Sequence, residues 1–74
     1  MGRLPDLSGR DVVKFLEKVG YAYDRQRGSH IILRQSIAPF RRIVVPDHKE
    51  IAKGTLRAII RETGLTVGEF LRLI

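Results

Sequence analysis

Two histidines, His30 and His48, and the arginines around the first are the side chains best suited to chemistry in this sequence. Imidazole ordinarily titrates at about pH 6.5, so it can take up or release a proton near neutrality. His30 follows Arg25, Arg27, Gly28 and Ser29 and precedes Arg34, which sets one imidazole among several guanidinium groups. That grouping suits phosphodiester cleavage in RNA. The imidazole would handle the proton of the 2'-hydroxyl or of the leaving oxygen, while the cations stabilise the charged phosphate. RNA carries its own nucleophile, so a small site suffices. The same residues fit a plain strand-edge histidine bonded to the backbone, and residue type and position leave both open. His48, in the sequence Pro46-Asp47-His48, reads first as a structural or capping residue, with Asp47 either orienting its ring or shaping a turn.

Other chemistries find less support. Asp24, Asp47 and Glu50 are scattered, with no cluster at metal-ligand spacing, so no metal and no cofactor is expected. Lys53-Gly54-Thr55 lacks the upstream glycine and the following lysine of a phosphate-binding loop. Ser29 and His30 are neighbours in sequence and, if both are extended, point to opposite faces of a strand, so adjacency alone does not make them a nucleophile and base pair. The remaining signal is positive charge. Arg41 and Arg42 open a strand, and Lys49, Lys53, Arg57 and Arg61 flank the start and outer face of a helix. The candidate RNA-contacting set is therefore Arg25, Arg27, Gly28, Ser29, Arg34, Arg42, Lys49 and Lys53, with His30 as the candidate catalytic residue. A solvated helix face is the plainer explanation of the helix-borne charges.

The elements that must position these residues follow from periodicity. Ser8 and Asp11 have the spacing of a capping box, Leu7 and Val12 that of a hydrophobic staple, and Val12, Leu16 and Val19 form one helical stripe that Gly20 ends. The period then changes to two. Tyr21, Tyr23, Arg25 and Arg27 are expected on one face of a strand, with Ala22, Asp24 and Gln26 on the other. Gly28 and Ser29 make a tight turn, after which Ile31 and Leu33 face one way and His30, Ile32 and Arg34 the other. If Ile31 and Leu33 face the helices, His30 and Arg34 lie on the open side; the apolar Ile32 allows the reverse. Pro39 marks a loop, and a third strand from Arg41 ends at Pro46. Leu56, Ile59, Ile60 and Thr63 form the next helical stripe, with Thr55 as its expected N-cap and Gly64 as its stop. Thr66 with Glu69 and Leu65 with Phe70 predict a last short helix. The expected class is α+β, in the order α-β-β-β-α-α, with a three-stranded antiparallel sheet packed on helices.

The 74 residues predict one unit spanning 1–74 with a small core. A net charge of +6, from 14 Lys and Arg against 8 Asp and Glu, favours a polyanionic partner. With no cysteine, no signal-peptide pattern and only short apolar runs, a cytoplasmic protein that does not enter a membrane is expected.

Taken together, "GYAYDRQRGSHIILRQ", "RRIVVPDHKEIAKGTLRAIIRETGLTVGEFLRLI" and the opening helix resemble the HicA family of bacterial mRNA interferase toxins. The similarity runs collinearly from about Ser8 to Ile74. It is strongest at "RGSH", "VPDH" and "KGTLRAII". What the resemblance implies is a fold like that of double-stranded-RNA-binding domains. It also implies a type II toxin that cleaves mRNA and is neutralised by a HicB-like antitoxin. The family's single catalytic histidine, in its Gly-Ser-His turn, corresponds to His30, whereas no catalytic role carries over to His48. Two other functions stand beside this one. A non-catalytic module would grip duplex RNA by shape and phosphate contacts, and a transcription regulator would place the "KGTLRAII" helix in a DNA groove.

Overall fold

The computed structural model describes residues 3–74, so the first two positions of the expected 1–74 unit lie outside it. Helix α1 (Gly9–Glu17) begins where the capping pattern predicts. The Ser8 hydroxyl accepts from the Asp11 N–H at 3.0 Å, and the Asp11 carboxylate accepts from the Ser8 N–H at 3.1 Å. Both partners of the predicted staple, Leu7 and Val12, are buried. Strands β1 (Tyr21–Arg27), β2 (His30–Gln35) and β3 (Arg42–Pro46) form one antiparallel sheet in the order β1-β2-β3, followed by α2 (Lys53–Thr63) and α3 (Val67–Leu71). The α+β class and the α-β-β-β-α-α order are those expected from sequence. No helix among the described residues is long and apolar enough to cross a membrane.

The helices cover one face of the sheet. Ile31, Leu33, Ile43 and Val45 from the strands meet Val12 and Leu16 of α1, Leu56, Ile59 and Ile60 of α2, and Phe70 of α3 in a single buried cluster. Ile31 and Leu33 thus face the helices, which places His30 and Arg34 on the open side. Burial of four strand residues in one layer sets the register, because a slip of one position would expose the whole set.

Two expectations are corrected. Helix α2 begins at Lys53, with Ala52 rather than Thr55 as its N-cap, and no side chain caps it. The Ala52 carbonyl accepts from the Leu56 N–H at 2.9 Å. Buried Ile51 and Leu56 anchor this turn from either side, so packing overrides the threonine's capping preference. The second correction concerns β1. Tyr23 pairs with Leu33, but Arg25 pairs with Ile32, leaving Asp24 as an extra residue in a bulge. A bulge reverses the alternation of the residues beyond it. Tyr21 and Tyr23 therefore lie on the helix side with Gln26, whereas Arg25 and Arg27 lie on the open side. Uniform alternation had put both tyrosines and both arginines on one face.

At the end of β3 the chain passes tightly over the start of α1. The Gly9 N–H donates to the His48 carbonyl at 2.9 Å. A Cβ at position 9 would stand 2.0 Å from the Pro46 carbonyl oxygen. Only glycine fits there.

Candidate nucleic-acid interface

Cross-strand pairing arranges the open face in rows. Arg27 lies opposite His30 and His30 opposite Pro46; Arg25, Ile32 and Val44 form the next row; Ala22, Arg34 and Arg42 the one after. Paired residues share a face, so four arginines and His30 look out together, and all five are exposed. Ile32 lies at the centre of this face on the middle strand and is only 5% exposed. Its burial follows from neighbours on both flanking strands rather than from the helix-side core. The Asp24 carboxylate, carried by the bulge, pairs with Arg34 at 3.6 Å. An exposed pair of this kind contributes little to stability, and it leaves the face strongly positive.

His30 is the first residue of β2, directly after the two-residue turn of Gly28 and Ser29. Gly28 takes φ +58°, and a positive φ at the first turn position alone is the pattern of a type II′ hairpin. Glycine adopts that conformation without a steric penalty. The His30 imidazole makes no hydrogen bond among the described residues.

The turn is held from outside its own hairpin. The Asp47 N–H donates to the Ser29 carbonyl at 2.7 Å. The Gln26 amide donates to the Asp47 carboxylate at 2.9 Å and to the Gly28 carbonyl at 3.1 Å. Arg10, on α1, donates to both Asp47 carboxylate oxygens, at 3.3 and 3.4 Å. The Gln26 donor first, and then the Arg10 guanidinium, hold the Asp47 carboxyl below the usual aspartate range. The Asp47 carboxylate is taken by Gln26 and Arg10, so it anchors the hairpin turn, a role that neither sequence reading of Asp47 included. His48 is exposed, and no hydrogen bond joins its ring to His30 among the described residues.

Not every candidate lies on the open face. Lys49 is exposed in the segment that leaves β3 at the end of the sheet where His30 sits. Lys53 is engaged by the Asp6 carboxylate, which is held below its usual range chiefly by the Lys53 hydrogen bond. That pair offsets a cation placed at the positive end of the α2 dipole. The sheet thus unites Arg25, Arg27, His30, Arg34 and Arg42, and leaves the two lysines beside it. Among the described residues no three His, Cys, Asp or Glu side chains group as a metal site would require.

Sequence reasoning missed Gln26, Arg10 and the anchoring role of Asp47. A signal for the bulge was present. Tyr21 calls for burial and Arg25 for solvent, and strict alternation puts both on one face.

A three-stranded antiparallel sheet with helices on one face and a basic opposite face, in this chain order, is a double-stranded-RNA-binding-domain-like fold. Residues 9–65 match the family model described as HicA toxin of bacterial toxin-antitoxin, and the chain belongs to that family. No match was found to an individual curated protein. Membership makes the protein the toxin of a toxin-antitoxin system and implies an antitoxin partner.

Proposed function

We propose that the protein is a cytoplasmic, metal-independent endoribonuclease that cleaves mRNA through His30 and is neutralised by a HicB-like antitoxin. The observation that most supports this is the register that sets exposed His30 directly opposite Arg27, on the face that also carries Arg25, Arg34 and Arg42. Arg27 and Arg25 would hold the scissile phosphate and stabilise the negative charge that grows on its oxygens. The ribose 2'-oxygen attacks the adjacent phosphorus, a new O–P bond forms, and the bond to the 5'-oxygen breaks. His30 moves one of the two protons and solvent water carries the other. As general base it takes the 2'-hydroxyl proton; as general acid it gives one to the departing 5'-oxygen. The products are a 2',3'-cyclic phosphate, or its hydrolysis product, and a 5'-hydroxyl. A base makes the rate rise with pH through the imidazole titration and an acid makes it fall, so the rate profile distinguishes the two.

An antitoxin that covers the His30 face would meet the same arginines, and acidic groups in its contacting segment would match them. The test is cleavage of a labelled single-stranded RNA by wild type and His30→Ala, both in EDTA and both checked for folding. Wild type should cut and the variant should not, and an all-deoxy strand should stay intact. If neither cuts while both bind RNA equally, the fold serves as a binding module instead.

A further inference from the structure

The loop joining β2 to β3 presents two large apolar side chains to solvent. Ile37 is 73% exposed and Phe40 52%. Phe40 also has φ +56°, in the left-handed region that bulky residues rarely enter without strain. The loop around it is tied down. The Phe40 N–H donates to the Ile37 carbonyl at 2.8 Å, the Gln35 N–H to the Arg41 carbonyl at 2.9 Å, and the Arg41 N–H to the Gln35 side chain at 2.9 Å. Arg34 reaches over from the open face to the Phe40 carbonyl at 3.4 Å. A strained, fixed backbone therefore holds an aromatic ring where it buries little. Arginines 34, 41 and 42 stand beside it.

We propose that this loop is a second RNA contact, in which Phe40 stacks on an unpaired base while Arg34 and Arg42 hold the flanking phosphates. Charge complementarity selects the occupant: the cations beside Phe40 are continuous with those leading along the open face to His30, and Asp24 is the one acidic side chain in that set of rows. An aromatic ring among cations suits a single strand, whose bases have free π-faces, and has nothing to stack on inside a duplex. From Gln35 to His30 the strand spans roughly 17 Å, so a strand seated on Phe40 would reach the histidine after a few nucleotides. The inference rests on the function proposed above for its catalytic end, but its test is a binding measurement that does not require cleavage.

The test uses the full chain carrying His30→Ala, with a fluorescein-labelled single-stranded RNA, an RNA containing 2-aminopurine and an RNA duplex as probes. Phe40→Gly removes the ring and also relieves the positive φ, so loss of binding would not reflect unfolding. Its affinity for the single strand should fall about ten-fold, as for loss of one stacked base, while the duplex binds as before. Phe40→Trp should retain affinity, and 2-aminopurine should be quenched on binding in the presence of the ring only. Unchanged single-strand affinity in Phe40→Gly overturns the proposal. So does an equal loss for single strand and duplex, which would show no preference for an unpaired base. Failure of wild type to cleave, with these binding results intact, would count against His30 and leave the loop contact standing.

Discussion

The main-chain N–H of Asp47 donates to the carbonyl of Ser29 at 2.7 Å, so the residue that follows β3 clamps the turn that precedes His30. The Asp47 side chain doubles the attachment through Gln26, whose amide also reaches Gly28. Asp47→Ala keeps the backbone bond and loses the carboxylate, freeing Gln26 and Arg10. The expected result is a folded protein with a looser turn, seen as increased mobility of Gly28 and Ser29 by NMR relaxation. If His30 transfers the proton as proposed, its misplacement lowers turnover more than binding, and RNA cleavage should lose roughly ten-fold in kcat with KM little changed. Asp47→Asn keeps an acceptor for Gln26 and should recover part of the loss. Equal turnover in all three proteins would show that the clamp does not matter to the site.

Acid should loosen the molecule. Asp6, Asp11 and Asp47 all have carboxyls held below the ordinary aspartate value of 3.8, by the Lys53 hydrogen bond, the Ser8 backbone N–H and the Gln26 amide respectively. A carboxyl with a depressed value in the folded state contributes stability that is present above 3.8 and is lost as the pH falls through the lower folded values. Thermal midpoints measured across the acid range should hold steady above that value and then decline. In Asp47→Asn the decline should be shallower.

Much of the architecture was legible because local and tertiary signals agree. At Ser8 and Thr66 the capping residue, the acidic partner three residues on and the staple all mark one boundary, and both capping boxes form. Around Lys53 they disagree: Thr55 offers a cap, but Ile51 and Leu56 must both be buried, and packing places the start earlier. The spacing of β1 hints at a break, since it puts Tyr21 and Arg25 on one face, but where the bulge falls depends on how β1 meets β2, at Asp24. For the candidate site, His30 and its neighbouring arginines were visible as a cluster in sequence. Arg10, Gln26 and Asp47 were not, since they come from three separate elements that only the folded chain brings together.

Gly9 illustrates a close approach that no helical pattern reveals. Its buried position against Pro46 leaves no room for a methyl group, which would stand 2.0 Å from a carbonyl oxygen. Relief requires separating the start of α1 from the end of β3, and it would strain the bond from Gly9 to His48. Gly9→Ala should cost about 1–3 kcal/mol, in the range of other overpacked sites. For a chain of this size that lowers the melting temperature by roughly 4–8 °C for each kcal/mol. Because Pro46 and Asp47 adjoin the His30 turn, cleavage should fall along with stability. A melting curve identical to wild type would show that the contact is readily relaxed.

Tyr21 should behave in the opposite way. It is 4% exposed, and its hydroxyl has no hydrogen-bond partner among the described protein groups. Burial raises its phenol above the ordinary value of 10.0, with Arg41 opposing the shift and Glu62 adding to it. A buried, unpaired hydroxyl is unfavourable, so Tyr21→Phe, which removes that one atom and keeps the ring, should hold or raise stability, by about 1 kcal/mol. The pH dependence gives a second readout. A phenol raised in the folded state favours folding below its unfolded value and loses that contribution as the pH climbs through the folded one. Wild type should therefore weaken above pH 10 more than Tyr21→Phe does, by denaturant titration at matched pH. If the variant is less stable at neutral pH, the hydroxyl has a partner in solution and the core at the start of β1 is better satisfied than its protein contacts indicate.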